Sequence, residues 1–375
     1  MLVKNLHVKC VWFAAIVLLP LVVSSQSKID SILTIATQQI YENPDISIKL
    51  GSELLNETDI SADEKVRIIL IISTAYSSKR DYEKSLENTL KALDLLPKLT
   101  DVYLKINLLN RIGGQYQELK IYDKAINYLN QAKQLIEETP ENDVTIRGLG
   151  YNNLVRGFVY REQMSCDIAL NYFDKAIEDY KKILNHPAGK ANISTSYYNR
   201  GNCLISLGRP NEAESSFKEA VKYAKTIDAK SLVAFAQKGL AEVYTSQGEY
   251  KKAIALIIDA LQNSEDVGDK VLNRALYNAL ATNYLATGNL KDYSLYKSKN
   301  LEVHRELTKA ERQTVDNSIN DLIDTNSEKL KSVKKSTKFL QIGFSSLILL
   351  CIIFLIRTVF TSEKELKSLK KRLKF

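Results

Sequence analysis

From residue 26 to about residue 300 the chain repeats one arrangement of apolar and polar positions. A small residue is followed three later by an aromatic or Leu anchor, and nine after that by the first Ala of an Ala-x-x-x-apolar-x-x-Ala stripe. The units are Gly113, Tyr116, Ala125, Leu129, Ala132; Gly157, Tyr160, Ala169, Phe173, Ala176; Gly201, Leu204, Ala213, Phe217, Ala220; and Ala241, Tyr244, Ala253, Ile257, Ala260. Ser73, Tyr76, Ser85, Thr89 and Ala92, followed by Pro97, form a looser earlier unit, and Ala281 with Tyr284 opens a later one. The anchors at 76, 116, 160, 204, 244 and 284 are spaced by 40 or 44 residues. Residues three or four apart share one face of a helix, so the first pair and the Ala stripe predict two helices packed face to face. Gly208, Gly248 and Gly288 fall between them, where a left-handed C-cap ends the first helix. Each unit therefore predicts a helical hairpin, and an all-α array of about six or seven such hairpins is expected over 26–300.

The pattern loosens at both ends. Residues 29–57 read as a degenerate first unit with Asn43-Pro44 as its turn, and in the last unit Tyr293, Lys297 and Asn300 replace the small and apolar positions. Residues 292–338 contain no Gly or Pro, and Val315, Ile319, Leu322 and Val333 make a broken heptad seam. A stalk helix over 301–338 follows from this, with a seam through which two copies could form a homodimer. Two apolar runs complete the layout. Residues 11–23, preceded by Lys4 and Lys9 and followed by Ser24 and Ser25, have the form of a secretory leader over 1–25. Phe339 to Ile356 holds no charge in 18 positions, a length of roughly 27 Å as a helix, and predicts a transmembrane segment. The leader exports the array, and the span returns residues 357–375 to the cytoplasm.

Composition sharpens this picture. With 45% apolar and 26% charged residues but only 14 Gly and 6 Pro among 375, the chain is globular and helix-rich rather than disordered or many-stranded. The net charge of +8 is carried by two clusters, +4 in 328–338 and +5 in 357–375, so everything before residue 328 sums to −1. A main body without a basic face is not a nucleic-acid binder. In the tail, Lys364, Lys367, Lys370, Lys371, Arg372 and Lys374 surround Leu366, Leu369 and Leu373 at helical spacing, a pattern suited to anionic lipid as well as to stopping translocation. Cys166 and Cys203 are read as two small apolar thiols, with a bridge open to them in an oxidising compartment. His186 and His304 lack metal-ligand spacing, no phosphate loop or nucleophile elbow occurs, and neither a cofactor nor enzymatic activity is expected. His304 to Thr308 resembles the phosphoacceptor box of sensor histidine kinases only faintly, and a solvated stalk histidine is expected there.

On its small-aromatic-turn-Ala-aromatic-Ala register the chain resembles the tetratricopeptide repeat (TPR) family across roughly residues 60–290. It departs from that pattern in lacking the opening Trp, in keeping a closing Pro only at Pro97, and in having units longer than the family's ~34 residues, which implies longer helices or turns. The resemblance implies a superhelix whose concave face is lined by first helices and binds a peptide or protein. Residues on that face, off the core stripe, are Asn110, Arg111, Tyr198, Asn199, Asn202, Lys238, Glu242 and Asn278. Their amides can hydrogen-bond an extended backbone, although the two-Asn, multi-Lys carboxylate clamp of some family members is not reproduced. The layout as a whole is similar to membrane-anchored TPR sensors of Bacteroidota. Expected, then, is a non-enzymatic scaffold or sensor, a single-pass protein of a bacterial inner membrane with its repeats in the periplasm. The alternative is the input half of a receptor whose histidine kinase or helix-turn-helix output domain is missing or separately encoded.

Overall fold

The computed structural model describes residues 29–40, 43–57, 60–163, 165–185, 187–267, 269–309, 348 and 352–368. The chain divides into two units, Met1–Thr308 and Lys309–Phe375. The described residues of the first unit are helical, without a strand. They form seven hairpins: α1 (29–39) with α2 (Pro44–Leu55), α3 (Ala62–Ser78) with α4 (Tyr82–Leu93), α5 (Val102–Glu118) with α6 (Tyr122–Glu137), α7 (Asp143–Glu162) with α8 (Cys166–Lys181), α9 (Pro187–Ser206) with α10 (Pro210–Lys225), α11 (Lys230–Ser246) with α12 (Tyr250–Asn263), and α13 (Lys270–Ala286) with α14 (290–309).

Local chemistry starts and stops these helices. Ser61 and Glu64 form a reciprocal capping box at α3, Asn142 and Thr145 another at α7, and the Asp101 and Asp269 carboxylates accept from the first free amides of α5 and α13. The first helices end alike. The amide five residues after each anchor donates to the anchor's carbonyl in six hairpins, from Asp81 to Tyr76 (3.0 Å) through Asn289 to Tyr284 (3.0 Å). The residue before that amide is left-handed where it is described: Gly208, Gly248 and Gly288 at φ 71°, 79° and 74°, but also Arg80 and Lys120 at 63° and 60°. These are Schellman closures, and the three glycines expected to supply them do so.

The apolar register also stands. Ala125, Ala132, Ala169, Ala176, Ala213, Ala220, Ala253 and Ala260 are wholly buried, as are Leu129, Phe173, Phe217 and Ile257 between them. Glycine at the small position lets the helices close up, since a Cβ on Gly201 would stand 2.6 Å from the Phe217 ring and one on Gly113 would stand 2.8 Å from Leu129. The long units come from long first helices. α7 and α9 have 20 residues where α5 and α11 have 17, about one extra turn, so the packed face is kept. Cys166 and Cys203 are free thiols lying side by side, and burial, then the neighbouring thiol, pushes Cys203 well above its ordinary range.

Each first helix touches its own partner, the second helix of the preceding hairpin, and the first helix of the next, whereas second helices pack mainly on the helices before and after them. First helices thus make one continuous layer of the array, the layer expected to be the inner one. At the C-terminal end α14 runs unbroken across residue 300, the expected start of the stalk, and stays on α13. Tyr296 stacks on Tyr284 at 5.7 Å, Asn300 Nδ2 donates to the Arg274 carbonyl at 2.8 Å, and Lys270 pairs with Glu306 at 2.8 Å.

In the second unit the described residues 352–368 are one helix with exposed Ile352, Phe354, Val359, Phe360 and Leu366. Among the described residues no helix is long and apolar enough to cross a membrane. The leader at 1–25, most of the stalk at 301–338, most of the span at 339–356 and the end of the basic tail lie outside the described residues.

Candidate functional site

Two grooves open on the inner layer. The first, about 520 Å³, lies across α5, α7 and the start of α9, with Arg67 of α3 and Asp101 at its rim. The second, about 650 Å³, lies across α11, α13 and α14.

Asn110 and Gly148, which line the first groove, join a chain of buried polar side chains that continues away from it. Asn110 Nδ2 donates to the Gly148 carbonyl (2.9 Å), Asn152 Nδ2 donates to Asn110 Oδ1 (2.8 Å) and to the Leu129 carbonyl (2.7 Å), and Arg156 Nε donates to Asn152 Oδ1 (2.7 Å). All three side chains are buried, so these bonds tie α5, α6 and α7 together. Asp101 accepts from Arg67 Nη2 at 3.3 Å while capping α5, and Tyr103 Oη accepts from Asn142 Nδ2 at 2.6 Å. Tyr180 of α8 also belongs to the lining, and its ring lies against Gly150 of α7, where a Cβ would come within 2.9 Å.

In the second groove Lys238 Nζ meets Glu242 Oε1 at 2.5 Å one turn along α11, and Thr245 Oγ1 donates to Asn283 Oδ1 at 2.9 Å. Arg274 Nη1 donates to His304 Nδ1 at 3.2 Å. The histidine of the kinase-like box thus stands on a groove wall as one partner of an arginine. Asn278 is exposed in the lining.

Of the eight side chains expected on this face, the structure brings Lys238, Glu242 and Asn278 together in the second groove. Asn110 lies in the first, but its amide is spent between helices. Two others correct the expectation that they stand off the core. Tyr198 packs against Phe217 and Phe235, at 5.9 Å from each ring, and Asn199 is buried, donating to the Thr195 carbonyl at 2.7 Å and accepting from Arg161. The reason is that a first helix in a stacked array has several packed faces, and helical periodicity marks only one of them. Asn202 and Arg111 are half-buried outside both grooves. Beside Arg111, burial raises the Glu118 carboxyl above its ordinary range while the Arg111 charge and the Ser77 hydroxyl pull it down.

Residue reasoning missed Arg67, Arg147, Tyr151, Tyr180, Arg274 and Asn300. One of them was legible. Twenty residues after the anchor the units hold Ile136, Tyr180, Ala224 and Ser264, all buried, so Tyr180 is the outsize polar occupant of a repeated core slot.

An array of stacked helical hairpins with an inner groove defines the class. The tetratricopeptide repeat family model matches residues 194–227 and 238–271, which fall on hairpins α9/α10 and α11/α12. The chain thus contains tetratricopeptide repeats. No curated protein matches the sequence. Solved structures share the fold. The Rap conjugation gene regulator of plasmid pLS20, in complex with the Phr* peptide, superposes with TM-score 0.57 at 15% identity over 74% of each chain. A STAND signal-transduction ATPase with a tetratricopeptide repeat sensor, from Pyrococcus horikoshii, gives 0.56 at 18% identity over 74% of this chain and 41% of that one. NprR in complex with its cognate peptide NprX gives 0.54 at 15% identity over 82% of this chain and 88% of that one.

Proposed function

We propose that the inner face is a docking surface for an extended peptide or protein segment, and that the protein is a non-enzymatic binding scaffold or sensor. The observation carrying this reading is the pair of grooves, about 520 and 650 Å³, with mixed polar and apolar linings drawn largely from first helices. Grooves of that volume lined by amides and guanidinium groups suit hydrogen bonding to a backbone that brings its own donors and acceptors. Support comes from the fold-sharing structures of the pLS20 Rap regulator and NprR, each in complex with a peptide.

A photoreactive amino acid placed at Asn278 in the full chain, and another at Lys218 on outer helix α10, separates the two faces. Partner adducts are expected at position 278 and not at 218; equal adduct yields at both would remove the inner-face assignment. Anchoring is part of the same proposal and rests on the charge-flanked apolar run at 339–356. Reporter fusions after residue 300 and after Phe375 should report opposite sides of the membrane, and two cytoplasmic reports would remove the exported topology.

A further inference from the structure

Two of the four cysteines in this chain meet at one crossing between hairpins. Cys166 is half-buried and opens α8, whereas Cys203 is wholly buried in α9. Cys166 packs on the core cluster that holds Cys203, and the two thiols are hydrogen-bonded to each other. The repeat explains why they meet. Cys166 stands six residues after the anchor Tyr160, and Cys203 stands one before the next anchor, Leu204. In the preceding pair of hairpins the same two positions hold Tyr122 and Val159, which share one core cluster. A second helix packs on the next first helix along the whole array, so the fold fixes this contact between residues 37 apart in the chain.

The two sulfurs differ in reach. Cys166 is the one a reagent in solution can touch, and Cys203 touches only its neighbours. Burial, then the neighbouring thiol, pushes Cys203 well above its ordinary range, with Arg161 opposing and Asp167 adding to the shift. A thiolate there is costly, whereas a disulfide is neutral and apolar and suits the slot.

We propose that Cys166 and Cys203 form a reversible intramolecular disulfide that ties hairpin α7/α8 to hairpin α9/α10, made by exchange with a small disulfide. The Cys166 thiolate attacks one sulfur of the small disulfide, forming a mixed disulfide and expelling the other half as a thiolate. Cys203 then loses its proton and attacks Cys166 Sγ, which breaks the mixed bond and expels the second half. The pair gives up two electrons and two protons, and the small disulfide leaves as two thiols. Closure is slow because Cys203 is seldom a thiolate. Opening is slow for the same reason, since a thiol attacking the reachable Cys166 must expel Cys203 as a poor leaving group. This assignment is independent of peptide docking.

The test incubates the full chain with excess oxidised glutathione, blocks remaining thiols by alkylation, and maps tryptic peptides by mass spectrometry. Peptides 162–175 and 201–218 should appear joined, lighter by two hydrogens than their sum, in a chain that runs as a monomer on a non-reducing gel. Cys203→Ala should stop at the glutathione adduct of Cys166. The closing rate should rise about tenfold per pH unit between about pH 7 and 8.5, following the Cys203 thiolate fraction, and reduced glutathione should open the bridge about tenfold or more slowly than it removes the adduct from Cys203→Ala. Alkylated thiols at both positions, an adduct on Cys166 that persists in wild type as in Cys203→Ala, or either cysteine joined to Cys10, Cys351 or a second chain instead overturns the proposal. A closing rate flat over that pH range, or a bridge opened as fast as the adduct, overturns the assignment of Cys203 as the buried closing thiol.

Discussion

Hairpins α3/α4 and α9/α10 place corresponding register positions at the crossing of their helices and fill them with opposite chemistry. In α9/α10 the slots hold Gly201, Ala213 and Phe217, and the Phe217 ring also lies against Gly239 of the next unit. In α3/α4 they hold Ser73, Ser85 and Thr89, all wholly buried. There Ser73 Oγ meets Thr89 Oγ1 at 2.6 Å and Ser85 Oγ donates to the Ser73 carbonyl at 2.7 Å. From the next hairpin, Gln115 Nε2 reaches Ser85 Oγ (2.6 Å) and Thr89 Oγ1 (2.9 Å), while its Oε1 stays unpaired. Both crossings close. The repeat therefore requires small volume where the helices cross and full use of whatever fills the gap, either apolar area or paired hydroxyls.

The largest effects should come from the apolar crossing. Ala220→Arg puts an unpaired charge where no solvent reaches and should unfold at least the local hairpins, and Phe217→Ala should cost about 3–5 kcal/mol through the lost ring and its cavity. Chemical denaturation followed by circular dichroism measures both. An unchanged transition for Ala220→Arg would undo the register. At the polar crossing, Thr89→Val should cost about 1–2 kcal/mol by stranding its partners. Importing the α5/α6 set, as Ser73→Gly, Ser85→Ala and Thr89→Leu together with Gln115→Ala, should instead be neutral or stabilising. If that variant is as unstable as Thr89→Val, the two fillings are not equivalent.

The turns extend the comparison between the two halves. Arg80 and Lys120 occupy the left-handed position that Gly208, Gly248 and Gly288 hold later in the chain. Left-handed geometry is strained for residues with a Cβ. Arg80→Gly and Lys120→Gly should each raise stability by up to about 1 kcal/mol, and Gly208→Ala, whose added Cβ would meet nothing within 4 Å, should lower it by a similar amount. Opposite signs in paired melting curves would detach this cost from the backbone.

The smallest expected effect is the pH response beside the polar crossing. Burial raises the Glu118 carboxyl, so its folded form prefers to be protonated, and its contribution is full below the unfolded value and fades as pH rises through the folded one. Asp179, raised first of all by burial although Asn153 Nδ2 donates to it at 2.8 Å, acts in the same direction. Melting temperature should climb as pH falls from 7 toward the ordinary carboxylate value of 4.5, and Glu118→Gln should flatten part of that slope. A slope unchanged by Glu118→Gln would place the titration elsewhere.

The same two hairpins show how far residues could be read in advance. Gly201, Leu204, Ala213, Phe217 and Ala220 announce their packing because the groups are apolar and their spacing is helical. The hydroxyl crossing was placed in register by Ser73, Ser85 and Thr89, but its dependence on Gln115 was hidden, since that amide arrives from another hairpin 42 residues after Ser73. The binding face suffered the same limit. Asn110 and Asn199 have the sequence signature of exposed amides, whereas the stacked neighbour helices turn both into internal ties.

The sequence by itself determined the hairpins, their 40- or 44-residue spacing, the glycine-closed turns and the residues at each crossing, because these follow from periodicity and backbone sterics within one unit. Tertiary structure decided which polar side chains remain available on the inner face. Stacking gives each first helix contacts on several sides, and only the assembled array shows that Lys238, Glu242 and Asn278 line one groove while Tyr180, from a second helix, lines another.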